Sequence, residues 1–244
     1  MIEIKNLTKR FGSVIAVNGL NLSVSQGEIF GFIGPNGAGK TTTLRMMSGI
    51  LAPTEGSVMI DGIDMAKYPE KAKQRMGYIP DRPFLYEKLT GMEFLRFTAD
   101  LFGVEDGLFQ EEAERLLKKF SLFDWRDDLI ESYSHGMKQR LIISAALLHH
   151  PKVLVVDEPL VGLDPAGIRM LKNLFRDLAK QGTTLFISTH TLSVAEDLCD
   201  RIGVIHKGNL ISTGTVEELK NAVRIEEGDL EKIFLILTEG EVPL

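Results

Sequence analysis

The segment Gly34-Pro35-Asn36-Gly37-Ala38-Gly39-Lys40-Thr41 fits the pattern G-x-x-x-x-G-K-[ST] at every position. Each residue type answers a need of phosphate chemistry. Glycines let backbone N–H groups converge on phosphate oxygens with no Cβ in the way. Through Asn36, Gly37, Ala38, Gly39 and Thr42 the loop runs into a helix whose positive end faces the same phosphates. Lys40 offers a positive charge to the β- and γ-phosphates, and Thr41 offers a hydroxyl to Mg²⁺. Further along, Val153-Leu154-Val155-Val156-Asp157-Glu158 is an apolar strand that ends in two carboxylates. Asp157 is suited to hold Mg²⁺, directly or through water. Glu158 is suited to orient or deprotonate an attacking water, a role worth roughly 10²–10⁴-fold. No Asn/Thr-Lys-x-Asp guanine reader is present, so ATP is expected rather than GTP.

These groups need rigid elements to hold them. Ile2 to Leu7, Val14 to Val17 and Leu20 to Val24 read as strands, with Asn18-Gly19 as a turn. Glu28 to Ile33 is a continuous apolar run, as in a buried strand, and precedes the glycine loop; a helix over Thr41 to Ser48 follows it. Ser57 to Ile60 and a strand from Ile63 flank an Asp61-Gly62 hairpin turn. Thr90 to about His149 is mainly helical. Phe94, Phe97 and Leu101 mark one helix, and Ala113, Leu116, Leu117 and Phe120 another, with the aromatics read as core. Val153 to Val156 and Leu185 to Ser188 are strands separated by a helix from Pro165 to Lys180, a βαβ unit that argues for parallel pairing. The fold class expected is α/β: a nucleotide-binding core with a mainly parallel sheet, an N-terminal antiparallel β subdomain and a helical insertion. The divisions are 1–89 and 150–222 for the core, 90–149 for the insertion and 223–244 for a tail. The tail's apolar cluster, Leu230, Ile233, Phe234, Leu235, Ile236 and Leu237, is expected to dock on the core or on a partner.

The chain has 244 residues, 25% charged and 44% hydrophobic, as in a globular protein able to bury a sizeable core. Asp plus Glu outnumber Lys plus Arg by 34 to 28, without a basic block, which argues against a nucleic-acid partner. The single cysteine, Cys199, excludes an intrachain disulfide and a multi-Cys metal site, and reads as a small buried residue on a helix. The first residues do not read as a signal peptide. The longest apolar stretch, Leu141 to Leu148, falls short of the roughly 20 residues of a membrane span. If the chain works at a membrane, something else is expected to anchor it.

Three more segments complete a recognisable order: Ser134-His135-Gly136-Met137-Lys138-Gln139-Arg140 before an apolar helix, Gly162-Leu163-Asp164 soon after Glu158, and His190 past a strand. With the phosphate loop and Asp157-Glu158, the chain resembles the nucleotide-binding subunits of ABC transporters over nearly its whole length. The resemblance implies that Ser134 and Gly136 form a C-loop donating to the γ-phosphate held by a second subunit. It also implies that Asp164 belongs to a loop bridging two sites, that His190 contacts the γ-phosphate and Glu158, and that Phe11 stacks on adenine. Structural roles compete: Phe11 as core, His190 as a helix cap, Asp164 as an N-cap before Pro165. Two departures stand out. The C-loop reads Tyr-Ser-His-Gly-Met, so His135 brings a titratable side chain to the expected dimer interface. The lid glutamine, a nucleotide and metal contact, is replaced by Asp81, a carboxylate that accepts but cannot donate when ionised.

The resemblance further implies a dimer, of two copies or with a related subunit, closing around two ATP-Mg²⁺. It implies a transmembrane permease gripped near Pro83 to Phe102, and a location on the cytoplasmic face of the membrane. Tyr133-Ser134-x-Gly136-Met137-Lys138-Gln139-Arg140, Pro83 to Thr90 and Asp229 to Phe234 resemble the exporter branch with a separate permease chain. The alternatives left open are an importer subunit, a soluble ABC ATPase acting on nucleic acid or ribosomes, and an ATP-binding regulator without turnover.

Overall fold

The computed structural model describes residues 1–81, 84–160, 163–225 and 228–239. In chain order the strands and helices are β1 (Ile2–Phe11), β2 (Val14–Val24), β3 (Ile29–Ile33), α1 (Lys40–Met47), β4 (Glu55–Ile60), β5 (Ile63–Asp64), α2 (Pro69–Gln74), β6 (Met76–Ile79), α3 (Gly91–Phe102), α4 (Asp106–Lys119) and α5 (His135–Leu147). There follow β7 (Val153–Asp157), α6 (Pro165–Lys180), β8 (Thr184–Thr189), α7 (Leu192–Leu198), β9 (Arg201–His206), β10 (Asn209–Gly214), α8 (Val216–Val223) and α9 (Leu230–Glu239).

Strands β3, β7 and β8 are buried at every position. Only a sheet covered on both faces can bury such continuous apolar runs. They lie at the centre of a six-stranded sheet ordered β10-β9-β3-β8-β7-β6, parallel throughout except for β10 against β9. The parallel pairing expected between β7 and β8 is therefore present. The β9–β10 hairpin was not read from the sequence, although Lys207-Gly208 turns it with both φ angles positive, at 47° and 80°. Cys199 closes α7, and burial pushes its thiol up to about 12, consistent with a packing role.

The first strands form a second, antiparallel sheet ordered β2-β1-β4-β5. Asp61-Gly62 makes the expected turn, with φ of 49° and 77°. Asn18-Gly19 does not turn the chain. Strand β2 runs unbroken past it, and the register against β1 shifts between Leu7↔Leu20 and Lys9↔Val17. This is a bulge, permitted by Gly19 at φ 56° and fixed by its N–H donating to Thr8 Oγ1 at 2.9 Å. The reversal lies instead at Gly12-Ser13, between the paired Phe11 and Val14.

Helices α3, α4 and α5 interrupt the six-stranded sheet between β6 and β7. A capping box starts α3: Glu93 N donates to Thr90 Oγ1 at 3.1 Å and Thr90 N to Glu93 Oε2 at 2.8 Å. Its buried face carries Phe94, Leu95 and Ala99. Phe97, expected in the core, is instead 40% exposed, and Leu101 is 68% exposed. They follow Leu95 and Ala99 by two residues, which on a 3.6-residue helix is the opposite side. The insertion is closed by a backbone clasp: Ile130 N donates to Leu89 O (2.9 Å), Met92 N to Arg126 O (2.8 Å) and Glu131 N to Glu87 O (3.1 Å). In the tail, α9 buries Leu230 and Ile233 against Ile33, Ala195, Ile202, Val204 and Leu219. The tail thus docks on the core.

Where α5 gives way to β7, His149 stacks on Phe102 with ring centroids 3.8 Å apart. One ring nitrogen lies 3.2 Å from Met76 O, and the other has no partner among the described residues. Burial lowers its pKa from 6.5 to about 4. Between those values the unfolded chain binds the extra proton and the fold does not. Stability is therefore full above pH 6.5 and is lost as pH falls toward 4, by up to about 3 kcal/mol. Urea melts of the native chain and of His149→Phe across pH 4–7 should show this slope in the native protein and a shallower one in the variant.

Candidate functional site

The glycine loop joins the end of β3 to α1, and its backbone has almost no spare room. A Cβ on Gly34 would lie 2.3 Å from Ile205 O, and one on Gly39, at φ 111°, would lie 2.5 Å from Ala16 O. Backbone from β9 and β2 thus presses on the loop from outside, leaving the inner face to a ligand. Gly208 N donates to Ala38 O at 2.9 Å and ties the β9–β10 turn to the loop. Lys40 Nζ donates to Gly34 O at 2.7 Å and to Pro35 O at 3.2 Å, spanning the loop. Burial lowers the pKa of this ammonium, and Glu158 and Asp157 act against that shift by favouring the charged form.

The carboxylates come from the end of β7. The register Asp157↔Ser188 sets the Ser188 hydroxyl to donate to Asp157 Oδ1. Glu158 follows in the left-handed region at φ 50°, sparsely populated for a side chain of this kind. Its N–H donates to Ser188 O at 3.0 Å. Its carboxylate is held on three sides: by His190 N (2.9 Å to Oε1), by His190 Nδ1 (2.7 Å to Oε1) and by Thr189 Oγ1 (3.2 Å to Oε2). A carboxylate so fixed at the mouth of a phosphate loop can orient a water and take its proton.

These groups surround one cavity of about 660 Å³. It is lined by the expected Asn36, Gly37, Ala38, Gly39, Lys40, Thr41 and Thr42, and by Asp81, Asp157, Glu158 and His190. Two further residues join the lining: Ala16, through the bulged β2, and His135, from the first turn of α5. Ser134, Gly136, Asp164 and Phe11 do not line it. Ser134 caps α5 by accepting from Met137 N at 3.3 Å, and Asp164 caps α6 by accepting from Gly167 N at 2.9 Å. Phe11 is half-exposed at the end of β1 with Lys9 Nζ 5.2 Å from its ring centroid. Gly162, Arg82 and Pro83 lie outside the described residues. Beside the cavity, Asp81, Asp157 and Thr41 meet Arg45 and Tyr78 around a smaller space of about 400 Å³. Burial, Asp157 and Asp81 push the Tyr78 phenol up to about 12, so it remains protonated at neutral pH.

The donor set suits a divalent cation of the magnesium type. Among the described residues no group of three His, Cys, Asp or Glu side chains forms a metal cage. Mg²⁺ takes one or two carboxylates and completes its shell with phosphate and water, so the Thr41 hydroxyl with Asp157 and Asp81 is an adequate set.

The family described as "ABC transporter" has a sequence model that matches residues 17–161. The chain is 41% identical over 225 residues to the bacitracin transport ATP-binding protein BcrA of Bacillus licheniformis, covering 92% of this chain and 72% of BcrA. It is 39% identical over 240 residues to the probable multidrug ABC transporter ATP-binding protein YbhF of Escherichia coli, covering 97% of this chain and 41% of YbhF. The chain thus spans about two fifths of YbhF's length. A solved ATP-binding subunit of an ABC transporter superposes with a TM-score of 0.93 at 31% identity, covering 97% of this chain and 99% of that one.

Replacing Ser188 with Ala leaves the buried Asp157 carboxylate short of a donor, an effect of about 1–3 kcal/mol. Urea denaturation should show that loss, and Mg²⁺-dependent nucleotide affinity should fall with it.

Proposed function

Because the chain belongs to the ABC transporter family of ATP-binding proteins, we propose that two copies, or one copy and a related subunit, close around two ATP-Mg²⁺ and hydrolyse them to drive a membrane permease. The observation that carries this reading is the division of the expected contacts. One cavity gathers the phosphate loop, Asp157, Glu158 and His190, whereas the expected γ-phosphate donors Ser134 and Gly136, and Asp164, lie outside it, with only His135 of that segment reaching its lining. A second subunit's C-loop and bridging loop are what such a half-site lacks. Two-fold pairing supplies both halves at once.

In the proposed reaction, the loop N–H groups and Lys40 hold the β- and γ-phosphates, and Phe11 stacks on adenine. Thr41, Asp157 and Asp81 hold Mg²⁺, which when bound offsets negative charge on the phosphates. Glu158 accepts the proton of a water aligned on the γ-phosphorus, and the β–γ bridging oxygen leaves with ADP. His190 keeps the Glu158 carboxylate aimed through its 2.7 Å contact. Closure is favoured only while the γ-phosphate bridges the halves, so cleavage reopens the pair.

The permease surface proposed is an exposed aromatic strip. Phe84 is 78% exposed and meets Tyr86 edge-on at 5.8 Å, which meets Phe97 at 5.4 Å, with Leu101 beyond. Beside it lies a largely apolar groove of about 330 Å³ lined by Ile50, Phe94, Phe102 and His149, suited to a short helix. Among the described residues no helix is long and apolar enough to cross a membrane. The permease is thus proposed to hold the chain at the cytoplasmic face. Export is favoured as the direction because multidrug and bacitracin transport appear in the names of YbhF and BcrA.

Glu158→Gln should retain ATP binding and lose roughly 10²–10⁴-fold of turnover. Light scattering should then report a doubled mass with ATP and a monomer without it. A monomer with ATP bound, both alone and with the permease present, would sink the dimer reading. Phe97→Asp with Leu101→Asp should leave ATP binding intact and abolish co-purification with the permease. Undiminished co-purification would place the docking surface elsewhere.

A further inference from the structure

A second cleft lies away from the nucleotide cavity, near the start of β7, whereas the nucleotide cavity sits at that strand's end. It has a volume of about 200 Å³ and opens where α4 meets the α5–β7 connection and the α6–β8 turn. Leu116, Leu147 and Leu174 line it, and its rim carries three cations, Arg115 and Lys119 from α4 and Lys152 from the connection, beside the His150 imidazole, with Asp177 as the one carboxylate in the lining. In a chain of net charge −6 this is a local inversion of sign.

The rim is partly preorganised. Glu112, almost fully buried, takes the Arg115 guanidinium in a two-pronged pair, with Nε 3.0 Å and an Nη 2.6 Å from Oε2. His150 Nε2 lies 3.7 Å from the same carboxylate's other oxygen. Glu112 thus fixes the Arg115 guanidinium from behind, with the His150 ring nearby. Among the described residues, Lys119 and Lys152 form no ion pair, and both are exposed. Two unneutralised ammonium groups beside an oriented guanidinium, over a small cleft, match a compact anion with several oxygens. The Gln181 amide adds N–H donors for an oxygen the cations leave over.

We propose that this cleft binds a phosphate-bearing small anion, held by Arg115, Lys119, His150 and Lys152. The anion joins α4 of the insertion to Lys152 and the α6–β8 turn of the core, so its occupancy links the two at a point remote from the nucleotide. Free phosphate and a phosphate monoester share the required chemistry.

The full chain carrying Lys40→Ala weakens phosphate binding at the nucleotide loop, and the Lys119 and Lys152 changes below assign what remains to the second site. Titrate it calorimetrically with orthophosphate and with glycerol 3-phosphate, against chloride at equal ionic strength to correct for screening. Saturable binding of either ion is expected, and the tighter one identifies the source. Adding Lys119→Ala and Lys152→Ala should weaken that binding about tenfold or more, and Lys119→Arg with Lys152→Arg should retain it. No saturable binding in the Lys40→Ala chain, or equal affinity after the double alanine change, overturns the proposal.

Discussion

The register of β7 against β8 governs the site. Pairing Asp157 with Ser188 sets a hydroxyl onto one carboxylate and brings His190 beneath the next. A slip of one residue would turn Asp157 toward the opposite face of the sheet, because side chains alternate along a strand. Close packing on both faces of the two strands, with Asp157 paired to Ser188, disfavours the slip. Two long-range features of the chemistry, the fixed Asp157 and the aimed Glu158, thus follow from strand packing together with that pair. The cost is local: Glu158 sits at φ 50°, a conformation that persists because its N–H, its carboxylate and the strand before it are all held.

The electrostatics of the cavity follow from the same arrangement. Lys40 is the cation of the loop, facing Asp157 and Glu158 with Asp81 close by. Burial alone would favour a neutral amine, and the carboxylates oppose this. A polyphosphate entering the cavity meets three carboxylates as well as the lysine. A divalent cation would offset that repulsion, which suits the proposed Mg²⁺ site at Thr41, Asp157 and Asp81.

What the sequence revealed and what it concealed divide along a physical line. The glycine loop, Asp157-Glu158 and the βαβ unit were legible because each is contiguous and its residue types are forced by local backbone geometry or by burial. Ser188 was missed because its role depends on which strand lies beside β7. The β2 bulge was missed because Asn18-Gly19 satisfies a turn as readily as a bulge, and the choice is made by Thr8 on another strand. Phe97 was misread because an aromatic at helical spacing looks the same whether it packs inside or waits at the surface. The side of α3 that faces inward is decided by Leu95 and Ala99.

The clasp that closes the helical insertion has a consequence of its own. Leu89, Met92 and their partners near Arg126 and Ile130 are joined through main-chain groups, and the strip bearing Phe84 and Tyr86 leads directly into them. Main-chain hydrogen bonds are indifferent to side-chain identity. The outward aromatics can therefore be substituted while the joint behind them keeps its main-chain bonds. A chassis of this kind separates the surface the insertion presents from the frame that holds it.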